Sequence, residues 1–352
     1  MSLDETLLWL CNIPSPIGEE AEICGAVAER LGRAELAAPI RRYGNSLVVP
    51  LTRGSGRPHV ALVGHLDVVR TAHDGPPRIE GDKLFGPGSS DMKSGLALMI
   101  DLAESAARPP LDLTLVFYAR EEGPFVENEL GPVLAEDPEL RHATIAVCLE
   151  PSDNRLQLGC AGSVHASVRF HGRTAHSARP WEGENAIQKA APFLTRLSHR
   201  EATRTRIDGL EWASVMSATL ASGGRARNVV PDLFELNVNH RFGPDKTLEE
   251  AKAAVEKLVA GDAEVVFVDE APPAPPFRNH PLVEALAKSG VVSVEPKQAW
   301  TDVARFSALG VVAVNFGPGI NSQAHQRNEW TSLSLLRNGR DILSRWLHAI
   351  SA

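Results

Sequence analysis

The sequence contains few cysteines, and their spacing gives them no shared role. Its 352 residues include only Cys11, Cys24, Cys148 and Cys160, and no two of them form a Cys-x-x-Cys pair. So few thiols in so long a chain exclude a disulfide framework of the kind that small secreted domains use in place of a large core. The cysteine content therefore favours a reducing compartment.

Long apolar runs and an excess of basic residues are also missing. No segment approaches the roughly 20 apolar residues that a membrane-spanning helix requires. The N-terminal segment MSLDETLLWLCN is acidic where a secretion signal is basic. The formal net charge is −8, whereas a general nucleic-acid-binding protein needs a basic surface that displaces counterions from phosphates. We therefore expect a cytoplasmic protein with no nucleic-acid or membrane partner.

Short β-rich runs alternate with helical patterns in the first half of the chain. The segments NSLVVPL, HVALVGH, LDLTLVFYA and ATIAVCLE have the composition of buried strands. The segment SGLALMIDLAESAA lies between the second and third of these runs and has helical periodicity. Alternating strands and helices predict an α/β catalytic domain with a mostly parallel sheet.

The pattern changes after Glu150. Two alternating segments, SVHASVRFHG and FELNVNHRF, are separated by the helical segment ENAIQKAAPFLTRLSHR, and the helix TLEEAKAAVEKLVA then precedes the strand AEVVFVD. This order predicts a small two-layer α+β domain of the ferredoxin-like kind. The proline-rich segment EAPPAPPFRNHP follows as a linker, after which the α/β pattern returns. We therefore predict a lid or dimerisation domain at 163–272, inserted into a discontinuous catalytic domain at 1–162 and 273–352.

Histidine and acidic residues stand where the predicted strands of the catalytic domain end. His65 ends the run HVALVGH, and Asp67 comes two residues later. Glu121 and Glu122 come just after the run LDLTLVFYA, and Glu150 ends the run ATIAVCLE. Open α/β sheets bind ligands at the carboxyl ends of their strands, so we expect these side chains to share one site. Taken singly, each has a simpler explanation, such as a histidine satisfied by a neighbouring aspartate or a solvated acidic turn.

Two loop residues complete this set. Asp91 lies in the loop LFGPGSSDMKSG before a predicted helix, a place where an aspartate is also common as a helix cap. His325 lies in the loop GPGINSQAHQRNEW after the strand VVAVNF. Imidazole and carboxylate groups are ligands of catalytic zinc, and two adjacent carboxylates such as Glu121 and Glu122 favour a compensating cation. The combination predicts a metal centre.

Six motifs in the sequence resemble, in type and order, those of the M20 family of dinuclear zinc amidohydrolases and peptidases: H-x-D, G-S-S-D-M-K, E-E-G, C-L-E-P, G-R-T-A-H-S-A-R-P and A-H-Q-x-N-E. The resemblance covers essentially the whole chain. It implies that His65 and Glu150 bind one zinc ion, that Glu122 and His325 bind a second, and that Asp91 bridges the two. Co²⁺ or Mn²⁺ could replace zinc, because such ligands accept several divalent ions.

The resemblance also implies roles for residues that do not bind metal. Glu121 would be the general base, Asp67 would support His65, and His176 would stabilise the oxyanion. In the family the matching histidine reaches the active site of the partner subunit, which implies a homodimer that pairs through the edge strands of the inserted domain. Four further residues match positions that bind the substrate in the family: Arg241, Arg305, Asn228 and Thr301. Either arginine alone would be explained as well by an ordinary surface ion pair.

Within the family, the chain most resembles the succinyl-diaminopimelate desuccinylases. The implied reaction is hydrolysis of N-succinyl-LL-2,6-diaminopimelate to succinate and LL-2,6-diaminopimelate, a step of diaminopimelate and lysine biosynthesis. Acetylornithine deacetylases, aminoacylases and M20 carboxypeptidases share the metal ligands and remain alternatives. Pro87 stands where many relatives have arginine, and Ala299 and Trp300 stand where desuccinylases usually have a glycine pair. A non-catalytic binding protein on the same fold is a remote alternative, because the metal ligands and the base are all retained.

Overall fold

The computed structural model describes residues 1–106 and 108–351. The chain divides into two compact units. The first contains Met1–Gly159, Pro275–Pro296 and the segment from Thr301 onward, and the second contains Cys160–Ala274 and Lys297–Trp300. The domain that we predict at 163–272 falls within the second unit.

The helices are short except at the C-terminus, and each in the described part of the chain is too short or too polar to cross a membrane. In chain order they are α1 (Leu3–Cys11), α2 (Ala21–Leu31), α3 (Lys93–Glu104), α4 (Leu130–Glu136), α5 (Ala186–Lys189), α6 (Ala191–Ser198), α7 (Leu248–Val259), α8 (Pro281–Ala287), α9 (Val303–Ala308) and α10 (Leu333–Ile350). Ser2 and Glu5 form a capping box at the start of α1, and Thr247 and Glu250 form one at the start of α7.

The strands belong to three sheets. In chain order they are β1 (Arg41–Tyr43), β2 (Ser46–Thr52), β3 (His59–His65), β4 (Arg78–Glu80), β5 (Lys83–Phe85), β6 (Asp112–Tyr118), β7 (Ile145–Cys148), β8 (Leu156–Leu158), β9 (Gly162–His171), β10 (Thr203–Ile207), β11 (Leu210–Gly223), β12 (Leu233–Phe242), β13 (Glu264–Ala271), β14 (Val294–Pro296), β15 (Val312–Asn315) and β16 (Trp330–Ser332).

The first unit is built on an eight-stranded sheet with the order β1-β2-β6-β3-β7-β15-β8-β14. Strands β6, β3, β7 and β15 are parallel to one another, whereas β2 is antiparallel to β6 and β8 is antiparallel to β15. Strand β3 is buried from its second residue onward, as expected for a central strand of a parallel sheet. The predicted α/β layer with a mostly parallel sheet is confirmed.

The register brings the carboxyl ends of three strands to one edge of this sheet. His65 of β3 lies opposite Tyr118 of β6, and Val63 lies opposite Cys148 of β7. The residues that follow Tyr118 and Cys148 in the sequence therefore leave the sheet beside His65. A smaller sheet with the order β16-β5-β4 joins the segment before the Asp91 loop to the segment after the His325 loop.

The second unit is a two-layer α+β domain, as we predict from the sequence. Its five antiparallel strands have the order β10-β11-β12-β9-β13, and α5, α6 and α7 pack against the sheet through a core that includes Phe170, Phe193, Val238 and Val255. The sequence pattern missed the hairpin of β10 and β11. The reason is composition: β11 reads LEWASVMSATLASG, and its second half is exposed, so it lacks the apolar alternation of a half-buried strand.

Burial of His240 in β12 should make the stability of the second unit depend on pH. The residue is 1% exposed, its Nδ1 lies 3.1 Å from the Ala251 carbonyl oxygen, and burial lowers the pKa of His240 from 6.5 to about 4. The unfolded chain binds this proton at a higher pH than the folded chain. The stability that neutral His240 contributes is therefore complete above pH 6.5 and is lost as the pH falls towards 4.

We expect the free energy of unfolding of the wild type to fall by about 2 kcal/mol more between pH 7 and pH 4.5 than that of the His240→Gln variant. Urea unfolding at a series of pH values measures the difference. The exposed His199→Gln variant is the control and should follow the wild type. Identical pH dependence in wild type and His240→Gln would contradict the argument.

Candidate metal centre

His65 is fixed at the end of β3 by contacts to both ring nitrogens. Its Nδ1 lies 3.0 Å from the Asp67 carbonyl oxygen and 3.6 Å from Asp67 Oδ1, and its Nε2 lies 3.3 Å from Asp91 Oδ1. The ring packs edge-on against Tyr118. With Nδ1 hydrogen-bonded to Asp67, Nε2 faces Asp91, and loss of the Nε2 proton would free its lone pair for a metal ion between the two residues.

The Asp67 carboxylate also holds the turn after β6. It is fully buried, and it accepts the backbone N–H groups of Glu121 at 3.1 Å and of Glu122 at 2.9 Å. The preceding residue, Arg120, has a φ of 63°, in the left-handed region that few residues other than glycine occupy. Asp67 therefore orients the two glutamates as well as His65, a second contact that the sequence did not reveal.

The candidate ligands form overlapping groups. Donor atoms of His65, Asp91 and Glu150 lie within 4.8 Å of one another, as do those of Asp91, Glu122 and His325. A third group combines His65 with Glu121 and Glu122. The first two groups have the same membership as the two ligand sets that the sequence resemblance implies, and Asp91 belongs to both.

The carboxylates in this site are crowded enough to change their protonation. Burial raises the pKa of Glu121 and of Glu122, and the neighbouring Glu150 carboxylate adds to the effect on Glu121. The Glu122 carboxylate, 2.9 Å from His325 Nε2, raises the pKa of His325 to about 9. So many acidic groups can be charged together only if cations compensate them. Imidazole and carboxylate donors in this arrangement fit zinc and other divalent ions.

The loop that carries Asp91 is held by Glu329, a residue with no predicted role. The Glu329 carboxylate is buried and accepts the backbone N–H groups of Gly88 at 2.9 Å, Ser90 at 2.7 Å and Asp91 at 2.8 Å. Glu329 is the last residue of the motif A-H-Q-x-N-E that contains His325. The motif itself was visible in the sequence, but a partner more than two hundred residues away was not.

The loop that carries His325 passes very close to the Asp91 loop. A Cβ atom at Gly319 would lie 2.0 Å from the Ser90 carbonyl oxygen, so only glycine permits this approach. His325 itself has a φ of 61°. Unfavourable backbone conformations of this kind are held in place by surrounding structure and are common in functional sites.

Thr301 and Arg305, two of the predicted substrate-binding residues, lie around the start of α9. Thr301 is 3% exposed. Arg305 Nε donates to Asp302 Oδ1 at 2.7 Å, its guanidinium lies 3.8 Å from the centre of the Phe125 ring, and Asp302 also accepts a hydrogen bond from Tyr118. These contacts hold the Arg305 side chain in place, and its contact with substrate stays a prediction.

His176, Asn228 and Arg241 lie in the second unit. The segments of His176 and Asn228 are joined by backbone contacts, including the Ser177 N–H group, which donates to the Asn228 carbonyl oxygen at 2.9 Å. His176 Nδ1 accepts the N–H group of Ala178 at 3.1 Å, so the neutral ring carries its proton on Nε2. Arg241 Nε donates to Asn239 Oδ1 at 3.1 Å on β12.

Comparison with solved structures identifies proteins with the same fold. A tripeptidase from Staphylococcus aureus covers 99% of this chain and 98% of its own with a TM-score of 0.81 and 21% identity. A Bacillus subtilis protein described as a dinuclear metal binding peptidase from the M20 family covers 99% of this chain and 97% of its own with a TM-score of 0.67 and 15% identity. At these identities the likeness shows the fold alone.

Comparison of sequences identifies nearer relatives. A Mycobacterium tuberculosis protein, provisionally named a succinyl-diaminopimelate desuccinylase, is 38% identical over 339 residues, which are 96% of this chain and 96% of that protein. A Corynebacterium glutamicum protein named succinyl-diaminopimelate desuccinylase is 35% identical over 347 residues, 96% of this chain and 94% of its own. Residues 61–349 match the profile of Peptidase family M20/M25/M40. This chain therefore belongs to Peptidase family M20/M25/M40.

Proposed function

We propose that the chain hydrolyses the amide bond of N-succinyl-LL-2,6-diaminopimelate in a reaction that depends on two divalent metal ions. The observation that carries this proposal is the pair of ligand groups that share Asp91 beside the acidic residue Glu121. The choice of substrate rests on the two bacterial relatives, which have desuccinylase names and match this chain over nearly its full length. The chain has only four cysteines, all of them buried, which favours a cytoplasmic location for this activity.

The two ligand groups suit two zinc ions. His65, Asp91 and Glu150 would hold one ion, and Asp91, Glu122 and His325 would hold the other. When bound, such ions polarise the amide carbonyl group and make a water molecule acidic enough to attack it near neutral pH. Co²⁺ or Mn²⁺ would fit the same donors. The family membership and the description of the Bacillus subtilis protein as dinuclear support two ions rather than one.

Glu121 would move the protons of the reaction. Its backbone is fixed by Asp67, and its side chain lies beside His65 and Glu122. The Glu121 carboxylate would take a proton from the attacking water and deliver it to the departing amine nitrogen as the carbon–nitrogen bond breaks. The second proton of the water would also pass to the amine nitrogen, so the products are a carboxylate and an ammonium group, and Glu121 returns to its starting state.

His176 and Arg241 would recognise the reacting and the distal parts of the substrate. Because His176 Nδ1 accepts a backbone N–H group, its Nε2 proton is available to donate to the oxygen that becomes negative during the reaction. Arg241 would bind a substrate carboxylate, since paired guanidinium N–H groups fit a carboxylate better than an ammonium group does. Asn228 and Thr301 would add polar contacts.

We further propose that two copies of the chain pair through the edge of β11. Strand β10 pairs with only Leu210–Ser214 of β11, and within the described residues no strand pairs with the same edge of β11 over 215–223. Leu220 on this stretch is 72% exposed. An unpaired edge of this length invites a second strand, and a second copy of the chain offers the same edge in a symmetric pair.

The Leu220→Asp variant tests this pairing. The wild type should have a mass twice the 37.9 kDa of one chain in light scattering after size-exclusion chromatography, and Leu220→Asp should be shifted towards the single-chain mass. Val268→Asp is the matched control, because Val268 is 59% exposed on β13 at the opposite edge of the same sheet. A wild type that runs as a single chain would reject the dimer, and a shift in the control alone would place it at β13.

The substrate is tested by direct competition between related amides. Zinc-loaded protein is incubated with N-succinyl-LL-2,6-diaminopimelate, N-acetylornithine, an N-acyl amino acid and a dipeptide, and release of amine is measured for each. We expect the succinyl compound to have the largest kcat/KM. A larger kcat/KM for N-acetylornithine or the acyl amino acid would reject the proposed substrate and leave the proposed metal centre unaffected. Failure to cleave any of them would reject the proposed reaction class.

A further inference from the structure

Glu329 makes contacts that no proposed step of the reaction uses. Its carboxylate accepts three backbone N–H groups from a single loop, those of Gly88, Ser90 and Asp91, at 2.7–2.9 Å. One oxygen accepts from Ser90 and Asp91, and the other accepts from Gly88. In the described residues Glu329 belongs to none of the donor groups that could hold a metal ion, so it faces the loop backbone and is not a candidate ligand.

The same contacts join the two loops that carry candidate ligands. Glu329 is four residues after His325, and its own carbonyl oxygen accepts the N–H group of Gly86 at 3.0 Å. Ser90 strengthens the junction, because its hydroxyl donates to the Trp330 carbonyl oxygen at 2.9 Å and accepts the Ile320 N–H group at 3.1 Å. The position of Asp91 is therefore set by the segment that also presents His325.

We infer that Glu329 is a positioning residue, which fixes the Asp91 carboxylate between the two proposed metal sites by ordering the backbone of its loop. The inference rests on the proposed metal-binding function. Three N–H groups that point into one buried space need acceptors there, because a buried donor without a partner is unfavourable. A glutamine offers a single oxygen and would turn an NH₂ group towards one of the N–H groups.

The test compares Glu329→Gln with wild type by titrating metal-free protein with Co²⁺ and recording the visible absorption of the bound ion. We expect Glu329→Gln to bind both ions about 10–100-fold more weakly than wild type, the range found when groups that orient metal ligands are altered. The absorption bands of any bound Co²⁺ should also change, because Asp91 no longer has one fixed orientation. The Glu329→Asp variant keeps the charge, but its side chain is one methylene shorter. Its Co²⁺ affinity should lie between those of wild type and Glu329→Gln.

Asp82→Asn is the matched structural control. The Asp82 carboxylate joins the turn between β4 and β5 to the start of α10. It accepts hydrogen bonds from the Ser332 hydroxyl at 2.6 Å and from the Ser334 N–H group at 2.9 Å, and it contacts no candidate ligand. Asp82→Asn should bind Co²⁺ with wild-type affinity and the wild-type spectrum even if its thermal unfolding temperature falls.

Three outcomes would overturn the inference in different ways. Wild-type affinity and spectrum in folded Glu329→Gln would show that Glu329 does not position Asp91. An equal loss of affinity in Glu329→Gln and Asp82→Asn would show that the effect is general destabilisation. A wild-type chain that binds no Co²⁺ or Zn²⁺ would reject the metal centre of the proposed function, and the positioning role with it.

Discussion

We expect the Glu121→Gln variant to have a kcat about 10²–10⁴-fold lower than that of wild type and an unchanged metal content. The amide keeps the size of the side chain but cannot take a proton from water. Glu121 lies beside the donor groups of His65 and Glu122, but neither of the two groups that contain Asp91 includes it. The metal ions should therefore stay bound while the proton transfers that accompany amide cleavage are lost. The measurement is kcat on the best substrate, with metal content determined on the same sample.

The control for this experiment is Glu127→Gln. Glu127 is an exposed glutamate in the loop that begins with Glu121, and its carboxylate pairs with Arg120 at the surface. The kcat of the Glu127→Gln variant should stay within about twofold of the wild-type value, as expected for a change at the surface. A Glu121→Gln variant with near wild-type kcat would remove Glu121 from the mechanism. A variant that lost its metal would show that Glu121 is a ligand.

We expect the Asp91→Ala variant to lose both metal ions, because among the described residues Asp91 alone belongs to both ligand groups. Replacing His325 by alanine should remove only the ion held with Glu122. We therefore expect about two metal equivalents in wild type, one in His325→Ala and none in Asp91→Ala after identical dialysis. Loss of both ions removes several kcal/mol of transition-state stabilisation, so kcat/KM should fall by at least about 10³-fold in Asp91→Ala.

Asp101→Ala is the control for Asp91→Ala. Asp101 lies near the other end of α3, the helix that follows Asp91, and belongs to none of the donor groups of the described residues. The Asp101→Ala variant should keep both metal equivalents. An Asp91→Ala variant that retained one tightly bound ion would contradict the shared role of Asp91, and equal metal content in His325→Ala and wild type would exclude His325 as a ligand.

The location of the site could be predicted because it depends on a general property of parallel sheets. The apolar runs before His65, Glu121 and Glu150 identify three strands, and parallel neighbours bring their carboxyl ends to one edge. The register of β3 with β6 and β7 confirms this arrangement. The inserted α+β domain was predictable for a similar reason, since its helices and core strands have strong apolar periodicity.

The contacts that hold the site in place could not be predicted. The partners of Glu329 and of Asp302 are backbone and side-chain groups from distant segments, and no sequence pattern records such pairs. Arg305 illustrates the same limit. Its position in a familiar motif predicts a contact with substrate, which stays a prediction, but the motif does not record the ion pair with Asp302 or the contact with the Phe125 ring. Local sequence indicates which groups reach an edge, but tertiary packing decides their partners.

The most direct test of this account is a crystal structure of the zinc-loaded protein with anomalous scattering data collected at the zinc edge. We expect two anomalous peaks about 3.5–4 Å apart. One peak should have His65, Asp91 and Glu150 as ligands, and the other should have Asp91, Glu122 and His325, with Glu329 still bound to the Asp91 loop. A zinc ion elsewhere in the molecule, or two ions that do not share Asp91, would contradict it.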